Sequence, residues 1–173
     1  LRDIIDLYYT NRISDIKEYL LKHDLSLTIQ ENEAIDNPDG FDNKAYYTEK
    51  FTQYFYKINV ADIGTGTYYA DWEVKLYGKV TYNTTTHVIS SATTPVLDLD
   101  WIFIYQYDSN GEEVQTNDMI PYIDNVSTGR TIHSTSVTFN ASYSIKALHN
   151  SGLEPLAKNF GNYTCSCLAV PSS

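Results

Sequence analysis

Few residues in this chain have the chemistry for catalysis or metal binding, and their spacing limits what they could do. The four histidines, His23, His87, His133 and His149, share no ligand spacing on a single element, so the expected metal complement is none. His133 is the weak candidate for proton transfer. Alternation along Arg130–Ile145 puts it in phase with Val137, Phe139 and Tyr143, where an apolar pocket would move an imidazole pKa. Tyr8, Tyr54, Trp72 and Trp101 are the side chains expected to line such a pocket. Asp100 adjoins Trp101 but has the opposite phase. Asp36, Asp39 and Asp42 are three residues apart, which is not the calcium-loop pattern, and Asn37-Pro38-Asp39-Gly40 reads as a solvated turn. No Gly-x-Ser-x-Gly elbow and no glycine-rich phosphate loop is present, and Gly64-Thr65-Gly66 lacks a dinucleotide fingerprint. No cofactor is expected.

Cys165 and Cys167 would share one face of a strand about 6.6 Å apart, which makes them a strained disulfide candidate or else two reduced thiols. Asn83, Asn125, Asn140 and Asn162 each open an Asn-x-Ser/Thr triplet and are glycosylation candidates. Four such triplets are little more than chance supplies from 13 Asn and 32 Ser and Thr. The surplus of Ser, Thr, Asn and Tyr over Lys leans toward an extracellular or cell-surface location.

The elements that must position these residues follow from length and pattern. With 173 residues, 42% hydrophobic and 20% charged, the chain suits a single domain over 1–173, with 146–173 as a C-terminal extension. A net charge of −10 and a pI near 4.6 argue against nucleic acid as a partner, and no apolar run is long enough to span a membrane. The first 30 residues read as two short helices and the start of a strand, where Leu25-Ser26-Leu27-Thr28-Ile29 alternates with period two. Tyr47, Phe51, Tyr54, Phe55 and Ile58 recur at helical spacing and predict an aromatic helix. Tyr69–Tyr82 alternates with period two, placing Trp72, Val74, Leu76 and Val80 inside and Glu73, Lys75 and Lys79 outside. Leu97–Tyr107 is a strand covered on both faces, Asp108-Ser109-Asn110-Gly111 is a hairpin turn returning through Glu112–Thr116, and Arg130–Ile145 is a further long strand.

Helices followed by long antiparallel strands and an Asn-Gly hairpin form an order that resembles the NTF2-like (cystatin-type α+β cone) superfamily over about residues 1–118. The likeness is carried by Ile4–Leu27, Tyr46–Ile63, Tyr69–Tyr82 and Trp101–Val114. It implies an α+β fold with N-terminal helices on a curved antiparallel sheet, and many such relatives are small-molecule lyases, isomerases or hydrolases. The Asn83–Pro95 loop and the tail depart from the family size and leave a β-sandwich with N-terminal helices as the alternative fold. Fold likeness does not carry function. With no catalytic constellation and 16 tyrosines, the expected function is a non-catalytic binding or assembly module. Its partner would be a protein or a second copy of the chain, with a small-molecule ligand as a further expectation. The alternative is a small-molecule enzyme with a pocket near His133.

Overall fold

The computed structural model describes residues 13–25, 27–35, 45–62, 66–116, 119–149 and 156–171. About three quarters of these residues lie in strands. One helix, α1 (Ile13–Lys22), is followed by β1 (Leu27–Ile35), β2 (Tyr46–Asp62), β3 (Thr67–Asn83), β4 (Ile89–Ala92), β5 (Val96–Tyr107), β6 (Glu113–Gln115), β7 (Met119–Ile132), β8 (Val137–His149) and β9 (Leu156–Ala169). All pairings are antiparallel. The first sheet has the order β1-β2-β3-β5-β6, with β4 also on β3, and the second has the order β7-β8-β9. The sheets face each other, β2 against β9, β3 against β8 and β9, and β5 against β7.

The expected α+β cone with N-terminal helices therefore does not form; the chain is mostly antiparallel sheet in two layers with one short helix. The main reason is the Tyr47–Ile58 segment, which is strand β2 and not a helix. Its aromatics fall on two faces. Tyr47, Phe51 and Phe55 pair with Tyr82, Gly78 and Val74 on the inner face, while Tyr54, Tyr56 and Ile58 pair with Lys75, Glu73 and Asp71 on the outer face. A strand covered on both sides loses its alternation and can imitate helical spacing. Its Tyr, Phe, Thr, Ile and Val content favours the extended form. Tyr8, the first of the two expected helices and the Asn37–Asn43 turn lie outside the described residues. No helix among the described residues is long and apolar enough to cross a membrane.

Strand β3 supplies the middle of the core. Trp72, Val74, Leu76 and Val80 are fully buried, and Lys79 on the opposite face is exposed. From the second sheet, Val137, Phe139, Ile145, Phe160 and Cys167 interleave with them. Polar links tie the layers together. The Trp72 indole N–H donates to the Tyr143 hydroxyl at 3.2 Å, and Asn59 Nδ2 donates to the Phe160 carbonyl at 2.7 Å and to the Tyr163 hydroxyl at 2.6 Å. These bonds satisfy groups whose burial would otherwise be costly.

Gly78 is where the sheets come closest. A Cβ built there would lie 2.6 Å from Phe139 Cζ. Gly78→Ala is therefore expected to cost about 1–3 kcal/mol through overpacking, read as a fall in the urea midpoint at unchanged slope. No change in the midpoint would mean that the sheets do not meet there.

Candidate functional site

The inner face of the first sheet is filled by core, so its open chemistry lies on the outer face. Two local features set which side chains appear there. The odd residues of β3, from Tyr69 to Tyr77, have the outer phase opposite the core residues. In β5 a bulge at Asp100 shifts the register between Glu73 and Val74. Leu97 and Leu99 consequently point inward with Leu76 and Val74, while Trp101, Phe103 and Tyr105 point outward beside Glu73, Asp71 and Tyr69. The uninterrupted odd-numbered aromatic row visible in the sequence is split between the two faces.

Helix α1 lies over one end of this outer face, where Ile16 and Leu20 pack on Ile58 and Tyr105, with Tyr56, Tyr69 and Leu27 around them. Between the helix and the sheet is an apolar slot of about 300 Å³ walled by Ile16, Leu27, Tyr56, Trp101 and Phe103. The ring centroids of Tyr56 and Trp101 are 5.5 Å apart, and those of Trp101 and Phe103 are 5.4 Å apart. Lys17 and Asp71 complete its lining. Lys17 Nζ sits 2.9 Å from Asp71 Oδ2 and 3.3 Å from Glu113 Oε2. The Tyr56 hydroxyl donates to Asp71 Oδ2 at 3.5 Å. The other carboxylate oxygen, Asp71 Oδ1, is buried with no hydrogen-bond partner.

Electrostatics here are dominated by burial and by carboxylates. Burial pushes the Asp71 carboxyl above its usual range against the pull of Lys17, and Glu113 adds to the upward shift. Burial works against the Lys17 charge, but Asp71 and Glu113 outweigh it and hold its pKa up. The two shifts have the same sign, so each group holds its proton to higher pH than it would in water. Burial, reinforced by Asp71, also raises the Tyr56 and Tyr105 hydroxyls. Glu73 is raised by burial and then by Asp100 beside it.

Beyond the helix the outer face continues as an open groove of about 690 Å³ lined by Glu31, Glu33, Lys50, Thr52, Tyr54, Lys75, Tyr77 and Asp98. The Tyr77 hydroxyl donates to Asp98 at 3.1 Å, and Lys50 lies over the Tyr77 ring and 3.4 Å from Glu33. Slot and groove are lined by Glu31, Glu33, Asp71 and Asp98 against Lys17, Lys50 and Lys75, and on the same face Glu73, Asp100 and Glu113 add to the carboxylates and Lys79 to the lysines. Such a surface can stack flat or cationic groups on its rings and accept hydrogen bonds at its carboxylates. Among the described residues, no three His, Cys, Asp or Glu side chains are grouped to hold a metal ion.

The residues singled out in the sequence scatter. Tyr54 and Trp101 are both half-buried on the outer face, in adjoining rows. Trp72 is in the core. His133 is exposed, because 133–136 form the turn between β7 and β8 where one continuous strand was expected; its backbone N–H donates to the Ser136 carbonyl at 2.8 Å. Asn125, Asn140 and Asn162 are exposed on the second sheet, while Asn83 Oδ1 accepts from the Thr85 and Thr86 amides in a turn. Asp71, Lys17 and Tyr56 had no sequence signal, since the site joins them across 54 positions of chain and only pairing brings them together.

Cys165 and Cys167 are free, with Cys167 in the core. Burial pushes the Cys165 thiol up to about 12, with Cys167 adding to the shift, and the Cys167 thiol up to about 11. Both are expected to react with a disulfide reagent at pH 8 at least about a hundredfold more slowly than a free thiol, recovering normal rates in denaturant. Rapid labelling of the folded chain would contradict their placement.

Comparison of the chain with protein-family models, curated proteins and solved structures finds no match.

Proposed function

We propose that the chain is a non-catalytic binding module whose ligand surface is the outer face of the first sheet. One observation carries the reading. This face holds Tyr54, Tyr56, Tyr77, Trp101 and Phe103 among charged side chains, and Phe103 is 47% exposed. Tyr and Trp give large contact areas at low entropic cost, as binding surfaces require. A groove and a slot that adjoin along one sheet face suit an extended ligand better than a compact substrate.

Trp101 reports on this face and Trp72 on the core, so intrinsic fluorescence can test the reading. The full chain is titrated with three defined probes: neutral oligosaccharides, lysine-rich peptides and glutamate-rich peptides. At least one class is expected to shift the emission saturably, and Tyr54→Ala should weaken that binding about fivefold or more, within the range for interface truncations. No response to any class, or a response that Tyr54→Ala leaves unchanged, would overturn it.

A further inference from the structure

We infer that the ligand of this face is cationic: an extended polypeptide segment bearing Lys or Arg at alternate positions, one of them seated in the slot beneath α1. The inference rests on the binding reading above and names the chemistry of its ligand. Three aromatic walls, Tyr56, Trp101 and Phe103, with centroid separations of 5.4–5.5 Å between neighbours, form a slot of about 300 Å³. Aromatic faces attract ammonium and guanidinium groups, and the attraction strengthens as water is excluded. A neutral apolar ligand would satisfy the walls and leave the carboxylate at the slot unanswered. Asp71 has a side chain 4% exposed, and its Oδ1 has no partner although Oδ2 is held by Lys17 and Tyr56. Asp71 is part of the slot's lining, so a cation whose apolar stem fills the slot brings its charge close to this buried carboxylate. Lys17 does not cancel the field, because Glu113 lies 3.3 Å from it on the exposed side.

The rest of the face explains why the cation belongs to a chain. Outer-face positions repeat every two residues, about 6.6–6.8 Å along a strand. On β3 and β5, successive rows carry Asp71, then Glu73 with Asp100, then Asp98, with Lys75 3.9 Å from Asp98 and from Asp100; Glu31 and Glu33 lie on β1, with Lys50 3.4 Å from Glu33. An extended peptide laid along the strands repeats its own side chains at the same interval. Lysines at alternate positions of a peptide lying over β3 and β5 would therefore meet Asp71, then Glu73 with Asp100, then Asp98, in three successive rows.

The test uses the full chain, Trp101 emission and calorimetry. The probe is an acetylated, amidated heptapeptide alternating Lys and Thr; controls are its Glu-for-Lys counterpart, a neutral oligosaccharide and tetramethylammonium chloride. The basic peptide should bind saturably, weaken at least severalfold from 50 to 500 mM salt, and lose about tenfold or more with Asp71→Asn, which removes the buried negative charge beside the slot. Glu73→Gln with Asp100→Asn, both outside the buried pair, should weaken it severalfold and serves if Asp71→Asn fails to fold. The acidic peptide should not bind. If tetramethylammonium binds as tightly as the peptide, the polypeptide assignment is overturned. If only the oligosaccharide binds at Trp101, the cationic assignment falls while the binding face stands. If nothing binds, both fall.

Discussion

Phe139→Ala is expected to cost about 3–5 kcal/mol, the usual loss for a fully buried phenylalanine. The ring bridges the two layers and presses on the one β3 position with no side chain, Gly78. That contact predicts a sign reversal. Gly78→Ala destabilises the parent chain because its methyl meets the ring at 2.6 Å. In the Phe139→Ala background the ring is gone, the methyl enters the vacated space, and Gly78→Ala should be neutral or stabilising, helped by the lower backbone entropy of alanine. Urea unfolding of both single variants and the double variant gives the coupling, expected at about 1 kcal/mol or more and favourable. Strict additivity would place Gly78 and Phe139 apart.

Lys17→Met is expected to cost about 3–5 kcal/mol at pH 7, because it leaves the Asp71 carboxylate buried without its cation. Asp71→Asn in the same background should recover much of the loss. The pH dependence follows from the signs of the shifts. Asp71 has a folded pKa above its unfolded value, so its protonated form favours folding at acid pH, and that contribution is lost as pH rises through the folded pKa. Lys17 is also raised, so its contribution is fully present below the unfolded pKa of a lysine and lost only as pH rises through the higher folded value. The penalty of Lys17→Met should therefore shrink toward pH 3, where Asp71 is protonated, and be larger at pH 7. Urea midpoints of parent and variant at the two pH values check this. A penalty independent of pH would mean that Asp71 is not the group left unpaired.

How much of the molecule was legible depended on how each strand is covered. β3 could be read from sequence because one face is uniformly apolar and the other polar, so period-two alternation survives. The Asp108–Gly111 hairpin was legible because its chemistry is local: Asp108 Oδ1 accepts from the Asn110 and Glu112 amides, and Gly111 takes the positive φ of 78°. β2 was not legible, because α1 covers one side and the second sheet the other, leaving aromatics in both phases. One bulged residue, Asp100, was enough to separate Leu97 and Leu99 from Trp101 and Phe103, and the sequence carries no mark of it. The turn at 133–136 likewise moved His133 from an expected interior to the surface. Tyr54 and Trp101 were recognised as ligand-lining residues from their chemistry, but on the inside of a cone; they stand on an outer face. Asp71 lies on the outer face with the other odd residues of β3, so its burial beneath α1 could be learned only from the tertiary structure.

Trp101 on an open face and Trp72 sealed between the sheets is the division on which the proposed ligand surface depends. Acrylamide quenching of two single-tryptophan variants tests it most directly. In Trp72→Phe, the remaining Trp101 is expected to emit at long wavelength and to be quenched readily, and bound basic peptide should protect it. In Trp101→Phe, the remaining Trp72 should emit at short wavelength and resist quenching until urea unfolds the chain. Quenching of Trp72 in the folded chain, or a Trp101 as protected as Trp72, would contradict an open aromatic face on the first sheet.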